Sequence, residues 1–515
     1  MSHLQARLRA LSPRILVGLR RGIEKESLRV RPEGTLATTP HQPALGSALT
    51  HPHITTDFSE VQLELITGVH ATADTCLGEL KHLHQFVYRH IGDEMLWCAS
   101  MPCKLPEDES AIPIAHFGPS NVGRAKTVYR IGLSHRYGRR MQMISGVHYN
   151  FSLLEDAWPL VDLANANDAY FALIRNFRRH AWLLLYLFGA SPAVCATFID
   201  GRSHELREFA PGTFYLPHAT SLRMGRLGYL SEAQDSLAVS YNDLESYAAS
   251  LDDALTKAYP AYEAIGIRDG DDYRQLAPSL LQIENEFYST IRPKRVVRPG
   301  ERPLHALRER GVEYVEIRAM DLDPFSAIGI AAETARFLDV FLLHCLLRDS
   351  PPDSLEEIRA IGRNKQRVAA HGREPALRLE RGREEIELPQ WAGQVLSECA
   401  PIATALDAAH GGTAHHEALS AAVRAVRNPS LLPSARILNE MQQRYDGSYF
   451  RFALDYSLRH RIDLQREPLP REVEADLARM ARESLDKQRA IEAEDKIPFE
   501  KYRQQYLSPE SLRAG

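Results

Sequence analysis

This chain has few of the features that usually name a protein's chemistry. Its 515 residues hold six cysteines with no CxxC pair and no regular spacing, so neither a disulfide framework nor a thiolate zinc site is expected. Cys98 and Cys103 form the one close pair, and free, mostly buried thiols in a reducing compartment are expected. A formal net charge of −5 offers no general basic surface, which argues against a nucleic-acid partner. The Arg-rich first 22 residues lead into no apolar h-region, so no secretory leader is expected. The uncharged run from Ala181 to Ile199 is broken by Gly189-Ala190-Ser191-Pro192, a turn signal. It is expected to be a buried helix ending at Gly189, with no membrane span.

Standard nucleotide and nucleophile motifs are missing too. Gly118 to Ala125 has the glycine spacing of a P-loop, but Arg124 and Ala125 stand where Lys and Ser/Thr are required. His415-His416-Glu417 lacks the second histidine of a zinc-binding helix, and no Gly-x-Ser-x-Gly elbow surrounds a serine. Internal repeats and long low-complexity linkers are absent.

The composition is that of a globular protein, 44% hydrophobic and 25% charged, and the length exceeds one typical domain. Clean apolar–polar alternation predicts strands at 21–30, 54–67, 143–153, 280–288 and 312–319. Helical patterns fall at 71–91, 167–188, 243–258 and 326–347. Alternating strands of this kind predict an α+β fold: a mostly antiparallel sheet with one polar face and helices on the other. Beyond Pro351-Pro352, amphipathic helices rich in Arg, Glu and Ala are predicted at 353–371, 416–426, 434–445 and 471–495. The expected organisation is a catalytic sheet-and-helix region over 1–350 and a helical region over 351–515 packed on it.

Acidic residues recur at strand spacing. In Gly22-Ile23-Glu24-Lys25-Glu26-Ser27-Leu28, Glu24 and Glu26 share a face; in Glu313-Tyr314-Val315-Glu316-Ile317-Arg318, Glu316 and Arg318 do. Asp57 and Glu64 recur in Thr56 to Leu65, with Leu63 and Leu65 pointing away from Glu64. If these strands are neighbours, five carboxylates converge on one surface, unfavourable without a cation among them. His148, beside Asn150 on the polar face of Ser145 to Phe151, is a sixth candidate ligand. Oxygen ligands beside an arginine suit Mg²⁺ and phosphoryl transfer. The basic segment Ile291 to Arg295, read as solvated, follows the 280–288 strand, where it could meet a triphosphate. Gln282, Arg292, Lys294 and Arg295 are the nucleotide candidates. The residues alone leave metal-assisted phosphoryl transfer, a metal-dependent hydrolase and a metal-stabilised binding protein open.

Ten colinear motifs resemble bacterial type-1 glutamate–cysteine ligases. They include Arg21 to Val30, Gly46 to Thr50, Trp97 to Pro102, Ile144 to Phe151, Tyr186 to Pro192, Ala219 to Arg223, Gln282 to Glu286 and Glu313 to Arg318. The resemblance implies a glutamine-synthetase-like catalytic architecture with a curved sheet. It implies ATP-dependent joining of the glutamate γ-carboxylate to the cysteine α-amine through a γ-glutamyl phosphate, the first step of glutathione biosynthesis. By position, Glu24, Glu26, Asp57, Glu64, His148 and Glu316 would hold Mg²⁺ or Mn²⁺, and Arg318 would stabilise the transferring phosphoryl group. Phe58, Tyr129, Leu133, Gln142, Tyr229 and Tyr288 would line the cysteine pocket, with Arg223 near a substrate carboxylate. A cytoplasmic monomer is expected, its partners being small-molecule substrates. A ligase for glutamate and another amine fits the same motifs.

Overall fold

The computed structural model of the chain describes residues 3–161, 165–228, 232–235 and 237–513. At its centre lies a seven-stranded sheet. In chain order the strands are β1 (Arg20–Val30), β2 (Ile54–Thr56), β3 (Gln62–Ile66), β4 (Met95–Leu96), β5 (Gly146–Ser152), β6 (Ile291–Lys294) and β7 (Tyr314–Asp321). Across the sheet the order is β6-β7-β5-β1-β3-β2, with β4 paired to the end of β1, and every pairing is antiparallel.

Strand alternation decides the two faces. Ile23, Leu63, Leu65, Val147, Tyr149 and Ile317 point to one side, each 1% exposed or less. They join a single apolar core with three helices: α1 (Ala73–His90), α3 (Ala166–Phe188) and α4 (Ala332–Leu347). A fourth, α2 (Asn121–Tyr137), carries Leu133 into a separate apolar cluster described below. Each fully buried aliphatic or aromatic side chain contributes about 1.5–3 kcal/mol, so the register that hides them is strongly specified. Helix α3 starts where the Asn165 side chain accepts from the Asp168 N–H, and it stops at Gly189. A buried ion pair ties sheet to helix: Arg21 Nη2 on β1 lies 3.0 Å from Asp339 Oδ2 on α4, and the Tyr149 hydroxyl donates to the same carboxylate at 2.8 Å.

Residues on both sides of Pro351-Pro352 share the largest core, where Leu342 and Leu346 cluster with Trp391, Ile402 and Leu419. The long helix Arg471–Glu494 reaches back to the Gly46 to Thr50 motif, where the Ser47 N–H donates to Ser484 Oγ at 2.9 Å. Gly46 has φ 86°, and a Cβ there would fall 2.9 Å from the Ala481 backbone. Among the described residues no helix is long and apolar enough to cross a membrane.

Four expectations change. The 54–67 segment is a hairpin, β2 and β3, because the chain turns at 57–61, where Asp57 N–H donates to the Gln62 carbonyl at 2.9 Å. The 280–288 segment is a loop with one 3₁₀ turn at Glu284–Glu286. Its carboxylates bind protein donors instead of solvent: Glu286 accepts from Gln282 N–H at 2.7 Å and Arg136 at 2.8 Å, and Glu284 accepts from Arg302 at 2.7 Å. The 291–295 segment is no solvated patch, since Arg292 on edge strand β6 is 6% exposed. Finally, Cys103 and Cys195 are disulfide-bonded with Cα atoms 5.3 Å apart, while Cys76, Cys98, Cys345 and Cys399 are free and buried.

Candidate active site

Strand register assembles the acidic side chains. Glu24 on β1 stands opposite His148 on β5, Glu26 on β1 opposite Glu64 on β3, and Glu316 on β7 opposite Asn150 on β5. Glu24 accepts from His148 Nδ1 at 3.2 Å and from Asn150 Nδ2 at 2.9 Å. His148 reaches Glu26 Oε1 at 3.6 Å and Glu316 Oε1 at 3.7 Å through its two ring nitrogens. Two triplets result, Glu24–His148–Glu316 and Glu26–Glu64–His148, each with ligand atoms within 4.8 Å of one another. Asp57 lies on the β2–β3 turn and belongs to neither triplet, although its charge acts on Glu26 and Glu64; its backbone carbonyl accepts from Arg130 Nε.

A bulge between Ile317 and Met320 breaks the β7–β5 register. Such an irregularity re-aims side chains, and Arg318 falls inside it. Arg318 Nη1 lies 3.3 Å from Glu316 Oε1 and 3.4 Å from His148 Nδ1. Lys294 Nζ approaches Glu316 Oε1 at 3.4 Å. Arg292 stands opposite Glu316 in the β6–β7 pairing, and its guanidinium donates to the Asn285 carbonyl at 2.9 Å.

The cations divide the acids. Burial works against ionised Glu316, but Lys294, Arg318, His148 and Arg292 hold it well below the usual carboxylate range. Burial and Glu316 likewise oppose ionised Glu24, but its hydrogen bond from His148 and the charges of Lys294 and His148 outweigh them and lower it. On the other side, burial and then Asp57 push Glu26 up to about 8 despite Arg223 and Arg318. Burial together with Glu24, Asp57 and Glu26 raises Glu64 well above its ordinary value. Burial and Arg318 lower His148, favouring the neutral imidazole that can ligate a metal.

The donor set of the two triplets fits hard divalent cations: four carboxylates and one neutral imidazole, with too few protein cations for the Glu26–Glu64 half. Among the described residues, Glu316 Oε2 is buried with no hydrogen-bond partner. An orphaned carboxylate oxygen facing such a cluster is costly unless something binds it.

Beside the cluster, Phe58 and Leu133 belong to one apolar cluster, with Tyr129 and Tyr288 packed against it. Gln142 Nε2 donates to the Tyr288 hydroxyl at 3.0 Å. Arg223, 1% exposed, donates to the Arg318 carbonyl at 3.1 Å. Tyr229 lies outside the described residues. Two nucleotide candidates stand apart. Gln282 is fully buried, its amide accepting from Leu276 N–H at 2.9 Å and donating to the Tyr129 carbonyl at 3.2 Å. Arg295 donates to the Arg310 carbonyl at 2.8 Å and pairs with Glu313 at 3.5 Å. Sequence reasoning missed Asn150 as a Glu24 partner and Arg130 as an Asp57 neighbour. For Asn150 the signal was its place two residues from His148, on the same strand face. For Arg130 it was one helical turn from Leu133 on α2.

Residues 6–368 match the glutamate-cysteine ligase family profile. A glutamate–cysteine ligase of Alcanivorax borkumensis is 48% identical, covering 98% of this chain and all of that one. One of Pseudomonas fluorescens is 47% identical over 93% of this chain and 91% of its own length. Among solved structures, a Francisella tularensis glutamate–cysteine ligase in complex with AMP superposes with a TM-score of 0.90 at 38% identity, covering 95% of this chain and 97% of that one. A bifunctional glutathione synthetase from Pasteurella multocida gives 0.70 at 27% identity, over 90% of this chain and 55% of its own. With a family match spanning most of the chain and near-full-length relatives at almost half identity, this chain belongs to the glutamate–cysteine ligase family.

Proposed function

We propose that the chain joins L-glutamate through its γ-carboxylate to the α-amine of L-cysteine, consuming ATP and releasing ADP and phosphate. The observation that carries this reading is the pair of acid–histidine triplets joined at His148, with Arg318 3.3 Å from Glu316 and an aromatic pocket alongside. The complex of the Francisella relative with AMP supports a nucleotide substrate.

A carboxylate does not acylate an amine at neutral pH, because oxide is a poor leaving group. A γ-carboxylate oxygen attacks the γ-phosphorus of ATP, the bond to the bridging oxygen breaks, and ADP departs. The cysteine amine then attacks the acyl carbon; phosphate leaves with the attacking oxygen, and the nitrogen loses a proton to water or a nearby base. Both reactants of the first step are anions. Glu24, Glu26, Asp57, Glu64, His148 and Glu316 would hold Mg²⁺ or Mn²⁺, which would supply the charge neutralisation that lets two anions approach. Arg318 stabilises the transferring phosphoryl group, with Arg292 and Lys294 as further cations on the same flank. Phe58, Tyr129, Leu133, Gln142 and Tyr288 hold the small thiol-bearing amine, and Arg223 faces a substrate carboxylate.

In this reading the sheet is curved, with its polar face as the active surface, a glutamine-synthetase-like architecture. Residues 1–350 carry the catalysis and 351–515 form a helical region packed on them, in a cytoplasmic, monomeric enzyme. The test is ADP release with glutamate, Mg²⁺ and a panel of amines. Release that needs both glutamate and cysteine is the expected result; turnover of a substrate without nucleotide, or release with neither amino acid, overturns the reading.

A further inference from the structure

Asp321 ends β7 where three separate chain segments meet. Its Oδ2 accepts from the Ala190 N–H at 2.8 Å and the Ser191 hydroxyl at 2.7 Å. Its Oδ1 accepts from the Ser221 hydroxyl at 2.9 Å and faces Arg223 Nη1 at 3.6 Å. The Asp321 side chain is 0% exposed and that of Arg223 2%. A carboxylate so deeply buried is tolerated only when donors and a cation compensate it, and among the described residues its ion-pair partner is Arg223.

Arg223 is seated tightly. Its guanidinium lies across Gly146, where a Cβ would fall 2.1 Å from Nη2. Gly146 is the register partner of Asp321, and its N–H donates to Glu26 Oε2 at 2.8 Å. The same guanidinium donates to the Arg318 carbonyl at 3.1 Å. One buried cation therefore touches the backbone of the phosphoryl-stabilising arginine and covers the residue that holds a metal ligand.

We propose that Asp321 is a positioning residue of the ligation reaction, acting through Arg223. It fixes the guanidinium over Gly146 by ion pairing and locks the 190–191 and 221–223 segments around it through the Ser191 and Ser221 hydroxyls. Nothing in the reaction touches Asp321 itself; its effect is on where Arg223 meets a substrate carboxylate, so the inference rests on that reading of Arg223.

The test is a steady-state comparison of wild type, Asp321→Asn, Arg223→Lys and the double variant, with KM measured separately for glutamate, cysteine and ATP. Asp321→Asn keeps the shape and loses the charge. It should raise the KM of one amino-acid substrate about tenfold or more while the KM for ATP stays within about twofold. The double variant should match Arg223→Lys alone within about twofold, because both act through one guanidinium. Ser221→Ala keeps the charge, removes one hydrogen bond to the carboxylate along with those Ser221 accepts from Ser191 and Met224, and should raise the same KM about threefold; it serves if Asp321→Asn does not fold. Amino-acid KM values within twofold of wild type in Asp321→Asn (or in Ser221→Ala, where that variant stands in), or losses that multiply in the double variant, overturn the proposal while leaving Arg223 in place. Unchanged amino-acid KM values in Arg223→Lys remove the reading of Arg223, and the role of Asp321 with it.

Discussion

Adding Mg²⁺ to the metal-free chain at pH 7 should expel protons. Burial and then Asp57 push Glu26 up to about 8, so about nine in ten of its carboxyls are protonated at that pH. Burial and the neighbouring acids raise Glu64 well above the usual carboxylate range as well. Glu24 and Glu316 are held low and contribute none. Ligation needs the ionised form, so filling the site should release about one proton per chain from Glu26, with Glu64 adding to it. Calorimetric titration in two buffers of different ionisation enthalpy counts them directly. Below about pH 8 the apparent Kd should fall at least roughly tenfold per pH unit as Glu26 ionises. Metal-free stability runs the other way. The folded value for Glu26 lies above its ordinary 4.5, so its contribution is full below 4.5 and is lost as pH rises through about 8. Mg²⁺ should therefore raise the melting temperature more at pH 8 than at pH 6. Glu26→Gln should cut the release by about one proton. Mg²⁺ binding with fewer than roughly 0.2 protons released would refute the division of the acids into compensated and uncompensated halves.

Glu24→Gln and Glu316→Gln should each abolish ADP formation while circular dichroism stays that of wild type, since each removes charge and little volume; near-normal ADP formation removes them from the metal set. Arg318→Lys keeps the charge but loses the planar fork that approaches Glu316 and His148, and should lower kcat by at least about tenfold with substrate KM values little changed. Asp339→Ala strands Arg21, whose side chain is 1% exposed; urea unfolding should show a loss of about 3–5 kcal/mol. Replacing both partners with apolar residues should recover much of that loss.

The part of the site that was readable in the sequence is the part built on strict alternation. Glu24 with Glu26, His148 with Asn150 and Glu316 each lie between residues that bury on the opposite face, and a two-residue period states that directly. Which strands are neighbours was not stated: the Glu24–His148 and Glu26–Glu64 pairings join segments far apart in the chain. Alternation misled at 280–288, where Glu284 and Glu286 have the spacing of a polar face but are captured by Arg302 and Arg136. Only tertiary contacts reveal such partners, and they pulled Gln282 inward as well. The alternation over 54–67 puts Asp57 in a strand, although Ser59 and Glu60 provide a turn. The Cys103–Cys195 bond spans 92 residues with no motif to announce it. Arg292 reads as a surface charge beside Pro293, yet edge strand β6 folds it against the 285–287 loop.

The central claim is that the acid cluster serves the phosphorylation of a carboxylate before amide formation. Glutamate labelled with ¹⁸O in both γ-carboxylate oxygens tests it most directly, by mass analysis of the phosphate released during turnover with cysteine and ATP. Transfer of one ¹⁸O into each phosphate is the predicted result. Phosphate free of label, with γ-glutamylcysteine still formed, contradicts the account.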